Sequence, residues 1–243
     1  MAAPSEGQLA VALRHSKSRA WPTIIYINLR KDTDRDRSMR ALFRALKYPS
    51  DRIIRFEAIS HAVGLEGCRL SHIAANKIGI TLAGSCPFYM VCEDDLKLVG
   101  NFYETLASAL DTQADCVLLE CGEDLEPQAE LQYTSNPRFM RFVSGGNNAG
   151  CYMMTPAFGR KIVAHWERHP MADVDHSWQS LWPGHRVLLA TPVVFVQQAG
   201  ESNQEGIGRR EEIRPFDAGL WRQYHPHGQL WGEALGRLQE LLQ

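Results

Sequence analysis

A chain of 243 residues, 44% of them hydrophobic, can bury a sizeable core. Lys+Arg 26 against Asp+Glu 28 leaves a formal charge of -2, without the basic excess on which nucleic-acid binders rely. The six cysteines form no CxxC pair and several sit inside apolar runs, so zinc fingers and disulfide scaffolds are set aside and a reducing, cytoplasmic compartment is expected.

Residues 1–20 hold no apolar core of signal-peptide length, and with Arg14, Lys17 and Arg19 they read as a flexible, solvated tail. No later run reaches membrane-spanning length. The ordered domain is expected over 21–243. Thr23 to Leu29 is β-branched and apolar, a buried strand. Asp32-Thr33 supply N-cap chemistry to a helix whose inner face is Met39, Leu42, Phe43 and Leu46. Arg40 and Arg44 fall on its solvated side. Arg30, Arg35 and Arg37 lie nearer the strand exit, where open α/β sheets bind ligands, and one of them is expected to contact a phosphate or base.

Arg52 to Ile59 predicts a second strand. After a loop through His61 and Gly64, the segment Gly67-Cys68-Arg69-Leu70-Ser71-His72 opens a helix with Leu70, Ile73, Ala74, Ile78 and Leu82 inward, closed by Gly84. Ser71 and His72 then fall in its first turn, where free N–H groups favour anions; on spacing alone, a cap and a surface histidine explain them better.

Pro87 to Cys92 is a buried strand running into Glu93-Asp94-Asp95. Adjacent carboxylates repel and resist dehydration, so three at a strand exit call for a positive partner. If the chain stays extended, Glu93 and Asp95 share a face and can hold one hard cation, with Asp94 on the other. A merely hydrated strand end is the alternative. Phe102, Leu106, Ala109 and Leu110 then predict a helix, and Asp115 to Glu120 a buried strand. Cys121 to Asn136, with Glu123, Asp124, Glu126 and Glu130, reads as a solvated loop. Strands follow at Arg138–Val143 and Ala149–Met154, joined by a turn at Ser144 to Asn148. Thr155-Pro156 caps a helix whose buried face is Phe158, Ile162, Val163 and Trp166.

A further helix is predicted from Asp173, with Val174, Trp178, Leu181 and Trp182 inward. Capping accounts for Asp173 but leaves Asp175 and His176 unexplained. His185 to Gln198 reads as two strands broken at Pro192, and Ala199 to Arg214 as a mobile loop. Residues 229–242 form an amphipathic helix that packs on the domain or on a partner, a homodimer being the partner expected. The alternation predicts a mixed α/β architecture, and neither GxGxxG after the first strand nor GxxxxGK[ST] is present.

Four pieces in this order resemble glycosyltransferase family 25, which contains lipopolysaccharide-core and collagen galactosyltransferases. They are Ile25-Tyr26-Ile27-Asn28-Leu29 followed by arginines, Gly67-Cys68-Arg69-Leu70-Ser71-His72, the strand ending in Glu93-Asp94-Asp95, and Val174-Asp175-His176; Gln198 with Ser202 is a weaker fifth. The resemblance implies a GT-A type single domain, α/β with a mixed Rossmann-like central sheet flanked by helices. It implies a UDP-sugar donor, a glycan or glycoprotein acceptor, Mn²⁺ (or Mg²⁺) and inversion at the transferred hexose, galactose or glucose. Carried onto this chain, Asn28, Leu29, Arg30, Arg35, Ser71, His72 and Asp94 would line the donor, and Glu93, Asp95 and His225 (or His227) would hold the metal. Asp175, with Asp173 in reserve, would be the catalytic base. The rival readings are a non-catalytic nucleotide-sugar or glycan-binding domain and a metal-dependent phosphohydrolase.

Overall fold

The computed structural model describes residues 21–121, 130–144, 149–170, 173–198, 200–201 and 209–210. The N-terminal tail, Glu123, Asp124, Glu126, the Ser202 match, His225, His227 and the helix predicted over 229–242 lie outside the described residues, as do 145–148 of the expected turn.

In chain order the elements are β1 (Ile24–Asn28), α1 (Thr33–Ala45), β2 (Ile53–Glu57), α2 (Gly64–Leu82), β3 (Tyr89–Cys92), β4 (Leu96–Leu98), α3 (Phe102–Leu110) and β5 (Cys116–Leu118). Then come β6 (Glu130–Tyr133), β7 (Phe139–Ser144), β8 (Cys151–Met154), α4 (Pro156–Arg168), α5 (Val174–Ser177), β9 (Val187–Ala190), β10 (Phe195–Gln197), β11 (Gly200–Glu201) and β12 (Arg209–Arg210). Eight strands form one sheet in the order β2-β1-β3-β8-β5-β9-β7-β6. The pairings make β1, β2, β3, β5, β6 and β9 run one way and β7 and β8 the other. The mixed α/β sheet flanked by helices expected from the sequence is therefore the architecture. Among the described residues no helix is long and apolar enough to cross a membrane.

Both faces of the sheet are covered, which is why the central strands read as unbroken apolar runs. Ile25, Ile27, Tyr89 and Val91 point into a core with Tyr152, Trp166 and Trp178, whereas Ile24, Tyr26, Met90 and Cys92 point into a second core with Phe43 and Phe102. On the first face α2 and α4 approach the sheet through glycines. A Cβ on Gly79 would lie 2.1 Å from the Tyr89 ring, and one on Gly159 would lie 2.0 Å from its hydroxyl. No side chain fits either space.

Several expectations need correction. Asp32 precedes α1 but makes no side-chain capping bond. The stretch Cys121 to Asn136 is not all loop, because β6 pairs antiparallel with β7. The region from Ala199 to Arg214 carries a short ladder, β11 with β12. The helix predicted from Asp173 is one α turn followed by a 3₁₀ segment over Trp178–Leu181. The largest correction concerns α2, which begins at Gly64, so Ser71 and His72 sit two turns inside it rather than at its N-terminus. Its buried stripe runs through Arg69, His72, Ile73, Asn76 and Gly79, while Leu82, predicted inward, is 44% exposed. The inward face is turned from the predicted one because Gly79 and Asn76 must meet Tyr89.

Candidate functional site

β1 and β3 are adjacent and parallel, yet the chain leaves β1 for β2 on one side and reaches β3 on the other. This is a topological switch point, and ligands of open α/β sheets bind at the carboxyl ends of such strand pairs. Here those ends carry Asn28 from β1 and Glu93, Asp94 and Asp95 from β3. β8 runs the other way, so the residues before it, Ala149 and Gly150, come to the same edge, and the Glu93 amide donates to the Gly150 carbonyl at 2.8 Å.

The three acids part company there. The backbone bends at Asp94, so the strand alternation that would place Glu93 and Asp95 side by side does not continue. Asp94 is buried and accepts from Asn28 Nδ2 at 2.6 Å and from Arg35 at 3.0 Å. Arg35 also stands 3.7 Å from Asp95. Asn28 is itself oriented, its Oδ1 accepting from Arg55 Nε at 2.8 Å. Burial pushes the Asp94 carboxyl up, against the opposing pull of Asn28 and Arg35. Asp94 is thus clamped by Asn28 and Arg35. The expected Glu93–Asp95 pair is not what the contacts show, since Asp95 shares Arg35 with Asp94. The β4–β10 ribbon holds the exit from behind, where the Gln198 amide donates to the Asp95 carbonyl at 2.6 Å.

Glu93 faces the other way. Its carboxylate meets Cys68 Sγ at 3.9 Å, His72 Nε2 at 3.5 Å and Gln197 Nε2 at 3.4 Å. The Cys68, His72 and Glu93 ligand atoms lie within 4.8 Å of one another. Opposite stands Asp175, whose Oδ1 accepts from the Ala149 amide at 2.7 Å. Its carboxyl is pushed up to about 6, first by burial and then by the charges of Glu93 and Asp173, against the pull of the Ala149 N–H.

The Gly-Cys-x-x-Ser-His segment can now be read residue by residue. A Cβ on Gly67 would sit 2.7 Å from the Ile59 carbonyl, so glycine lets the loop after β2 approach the helix. Ser71 Oγ donates to the Gly67 carbonyl at 2.7 Å and accepts from the Ile59 amide at 2.8 Å, pinning that loop. Arg69 is buried, bound to Glu66 and to the Trp166 carbonyl, and ties α2 to α4. Cys68 and His72 alone turn toward Glu93. Ser71 and His72 are each 1% exposed, so the predicted donor-contacting pair becomes a structural serine and a buried imidazole behind the acid.

Of the other predicted site residues, Arg30 is exposed and Leu29 half-buried at the turn after β1. Arg37 pairs with Asp34 on the surface at 2.9 Å. Asp173 is committed locally, since one oxygen caps α5 through the Asp175 amide and the other meets His176 Nδ1 at 2.9 Å. It is therefore not a free reserve base. Sequence reasoning missed Asn76, Tyr152, Arg55 and Gln197. For Asn76 a signal existed, because an amide four residues after His72 falls on the same helical stripe.

No protein-family model matches the chain, and no curated protein matches it. Among solved structures it is similar to a glycosyltransferase involved in glycosylating the major capsid of PBCV-1, at 12% identity over 75% of this chain and 95% of that one, TM-score 0.47. It is also similar to the Thermus thermophilus protein titled mannose-1-phosphate geranyltransferase, at 13% identity over 78% and 64%, TM-score 0.37. A third is the 4-diphosphocytidyl-2C-methyl-D-erythritol synthase of Anaerococcus prevotii, at 12% identity over 75% of each chain, TM-score 0.37.

Proposed function

We propose that the chain is a glycosyltransferase of GT-A type, related to glycosyltransferase family 25. In this reading it moves a hexose, galactose or glucose, from a UDP-sugar to a hydroxyl of a glycan or glycoprotein acceptor. One observation carries the reading: at the carboxyl edge of β1 and β3, Asp175 from α5 feels the charge of Glu93, and its carboxyl is pushed up to about 6, by burial first and that charge second. A base must pass between protonation states near the working pH, and a carboxyl raised toward neutrality does so readily. Asp175 would take the proton of the attacking acceptor hydroxyl as the bond to the leaving diphosphate breaks.

The acids present fit a hard cation through oxygen only. Asp94 is taken up by Asn28 and Arg35, which leaves Glu93 and Asp95 as the carboxylates of the triplet that a cation would use. Glu93 and Asp95, on the two sides of the bend and not as the same-face pair of an extended strand, would each offer an oxygen to Mn²⁺ (or Mg²⁺) beside the donor phosphates. When bound, the cation offsets charge growing on the leaving diphosphate. Arg35, fixed on Asp94, adds a second positive centre at the same edge. Six cysteines without a disulfide among them support a cytoplasmic location.

The test is UDP release from UDP-galactose and UDP-glucose with Mn²⁺, with and without acceptor. Release that depends on the metal and falls with Asp175→Asn is expected. Absence of release, together with no Mn²⁺-dependent thermal shift on adding UDP, would sink the transferase reading. Binding without turnover would instead favour a non-catalytic nucleotide-sugar domain.

A further inference from the structure

Behind Glu93 lies a chain of buried hydrogen bonds whose direction is fixed by one backbone carbonyl. Asn76 Nδ2 stands 2.8 Å from the His72 carbonyl, which only accepts, so that end of the amide is the NH₂ group. The same NH₂ donates to the Tyr152 hydroxyl at 2.7 Å. The other end, Oδ1, then accepts from the Tyr89 hydroxyl at 2.7 Å. The Tyr152 hydroxyl proton needs an acceptor, and of its two hydrogen-bonding neighbours the Asn76 NH₂ only donates, so that proton goes to His72 Nδ1 at 3.1 Å. Burial keeps the Tyr152 phenol protonated, well above its ordinary range. An imidazole that accepts at Nδ1 carries its proton on Nε2, and that nitrogen faces Glu93 Oε1 at 3.5 Å.

We infer that the Tyr89–Asn76–Tyr152 chain sets His72 as the neutral Nε2–H tautomer, making it a positioning residue that presents an N–H to Glu93 and fixes that carboxylate toward the cleft. The same polarity bears on the Cys68–His72–Glu93 grouping. A metal there would need the Nε2 lone pair, which would move the proton to Nδ1 and leave the buried Tyr152 hydroxyl between two donors, its own proton without an acceptor. The three side chains thus form an acid with its orienting donors rather than a soft-metal site. The consequence for turnover rests on the transferase reading, but the tautomer does not.

The first experiment therefore needs no activity. Long-range ¹H–¹⁵N correlation of the metal-free, ¹⁵N-labelled protein should give His72 a non-protonated signal at Nδ1 and a protonated one at Nε2, the assignment being made with His72→Gln. Tyr152→Phe should shift both signals toward a tautomer mixture, and equimolar Zn²⁺ should leave the wild-type pattern in place. A protonated Nδ1 in the wild type, or loss of the Nε2 proton on stoichiometric zinc binding, overturns the inference; the wild-type spectrum decides even where Tyr152→Phe does not fold. Where UDP release is measurable, His72→Ala should lower kcat roughly tenfold with donor KM little changed, the worth of about one lost hydrogen bond, and His72→Gln, which keeps an N–H, should recover most of it. Equal loss in both variants would overturn the positioning role while leaving the transferase reading to its own test.

Discussion

Glu93 and Asp94 are neighbours in sequence and opposites in surroundings. Asp94 is compensated by a guanidinium and an oriented amide, and it is closed off from the cleft. Glu93 meets a thiol, an imidazole, a second amide and, across the edge, another carboxylate. The first arrangement is what a fold does with a buried charge it needs only to hold. The second brings one carboxylate under the charge of another: burial and then that charge raise the Asp175 carboxyl. One strand exit thus builds both an anchor and, in the proposed reading, a reactive corner.

Breaking the anchor should have the largest effect. Arg35→Ala leaves the Asp94 carboxylate buried with its amide partner alone, and about 2–3 kcal/mol of stability should be lost in urea unfolding, below the value for a fully buried pair because Arg35 is partly exposed. Adding Asp94→Asn to that variant should recover part of the loss, since a neutral amide needs no counter-charge; no recovery would mean that the pair is not what holds the strand exit. Disturbing the reactive corner from below comes next. A Cβ at Gly150 would stand 2.7 Å from the Glu120 carboxylate and 3.2 Å from Gln197 Nε2, so Gly150→Ala should cost about 1–2 kcal/mol by overpacking and push Gln197 off Glu93.

pH reads the Glu93 side of the comparison through its neighbour Asp175. Asp175 titrates near 6 when folded and near 4 when unfolded. Below both values it is protonated in each state and contributes nothing; as pH rises from about 4 to about 6 the unfolded chain ionises first, so stability falls across that window and stays lowered above it. Metal-free wild type should therefore lose about 1–2 kcal/mol relative to Asp175→Asn between those limits, a full shift of this size being reduced by the water at the site edge. Parallel pH profiles would remove the repulsion from Glu93 as an explanation. The smallest effect is the control: Arg37→Ala, breaking an exposed pair with Asp34, should change stability by less than about 0.5 kcal/mol.

What the sequence disclosed was what local chemistry decides. Thr155 and Asp173 cap their helices as read, and Gly84 follows α2 with a φ of 60°. The strands of the sheet centre announced themselves because both faces are buried. The start of α2 gave no such notice. Val63 precedes it without a capping side chain, and Gly67, read as part of the helix opening, lies inside the helix, where it makes room for the Ile59 carbonyl. Placing that helix late put Ser71 and His72 at a dipole end that they do not occupy. The acidic triplet was found at once, but its partition was not legible, since the bend at Asp94 depends on Arg35 and Asn28 reaching across from other elements. Asp175 was singled out because capping left it over; its facing acid came only from β8 and α5 meeting one edge. The chain through Tyr152 was invisible, since a tyrosine in an apolar strand reads as bulk.

Cys68 has a use beyond its place in the segment. The other five cysteines are buried, and among the six it alone is half-exposed. A thiol-directed fluorophore would therefore attach at one address, beside Glu93, without any engineering of the chain. Protection of that thiol by a nucleotide sugar would make the wild-type protein its own occupancy sensor, read in seconds and before any acceptor is known.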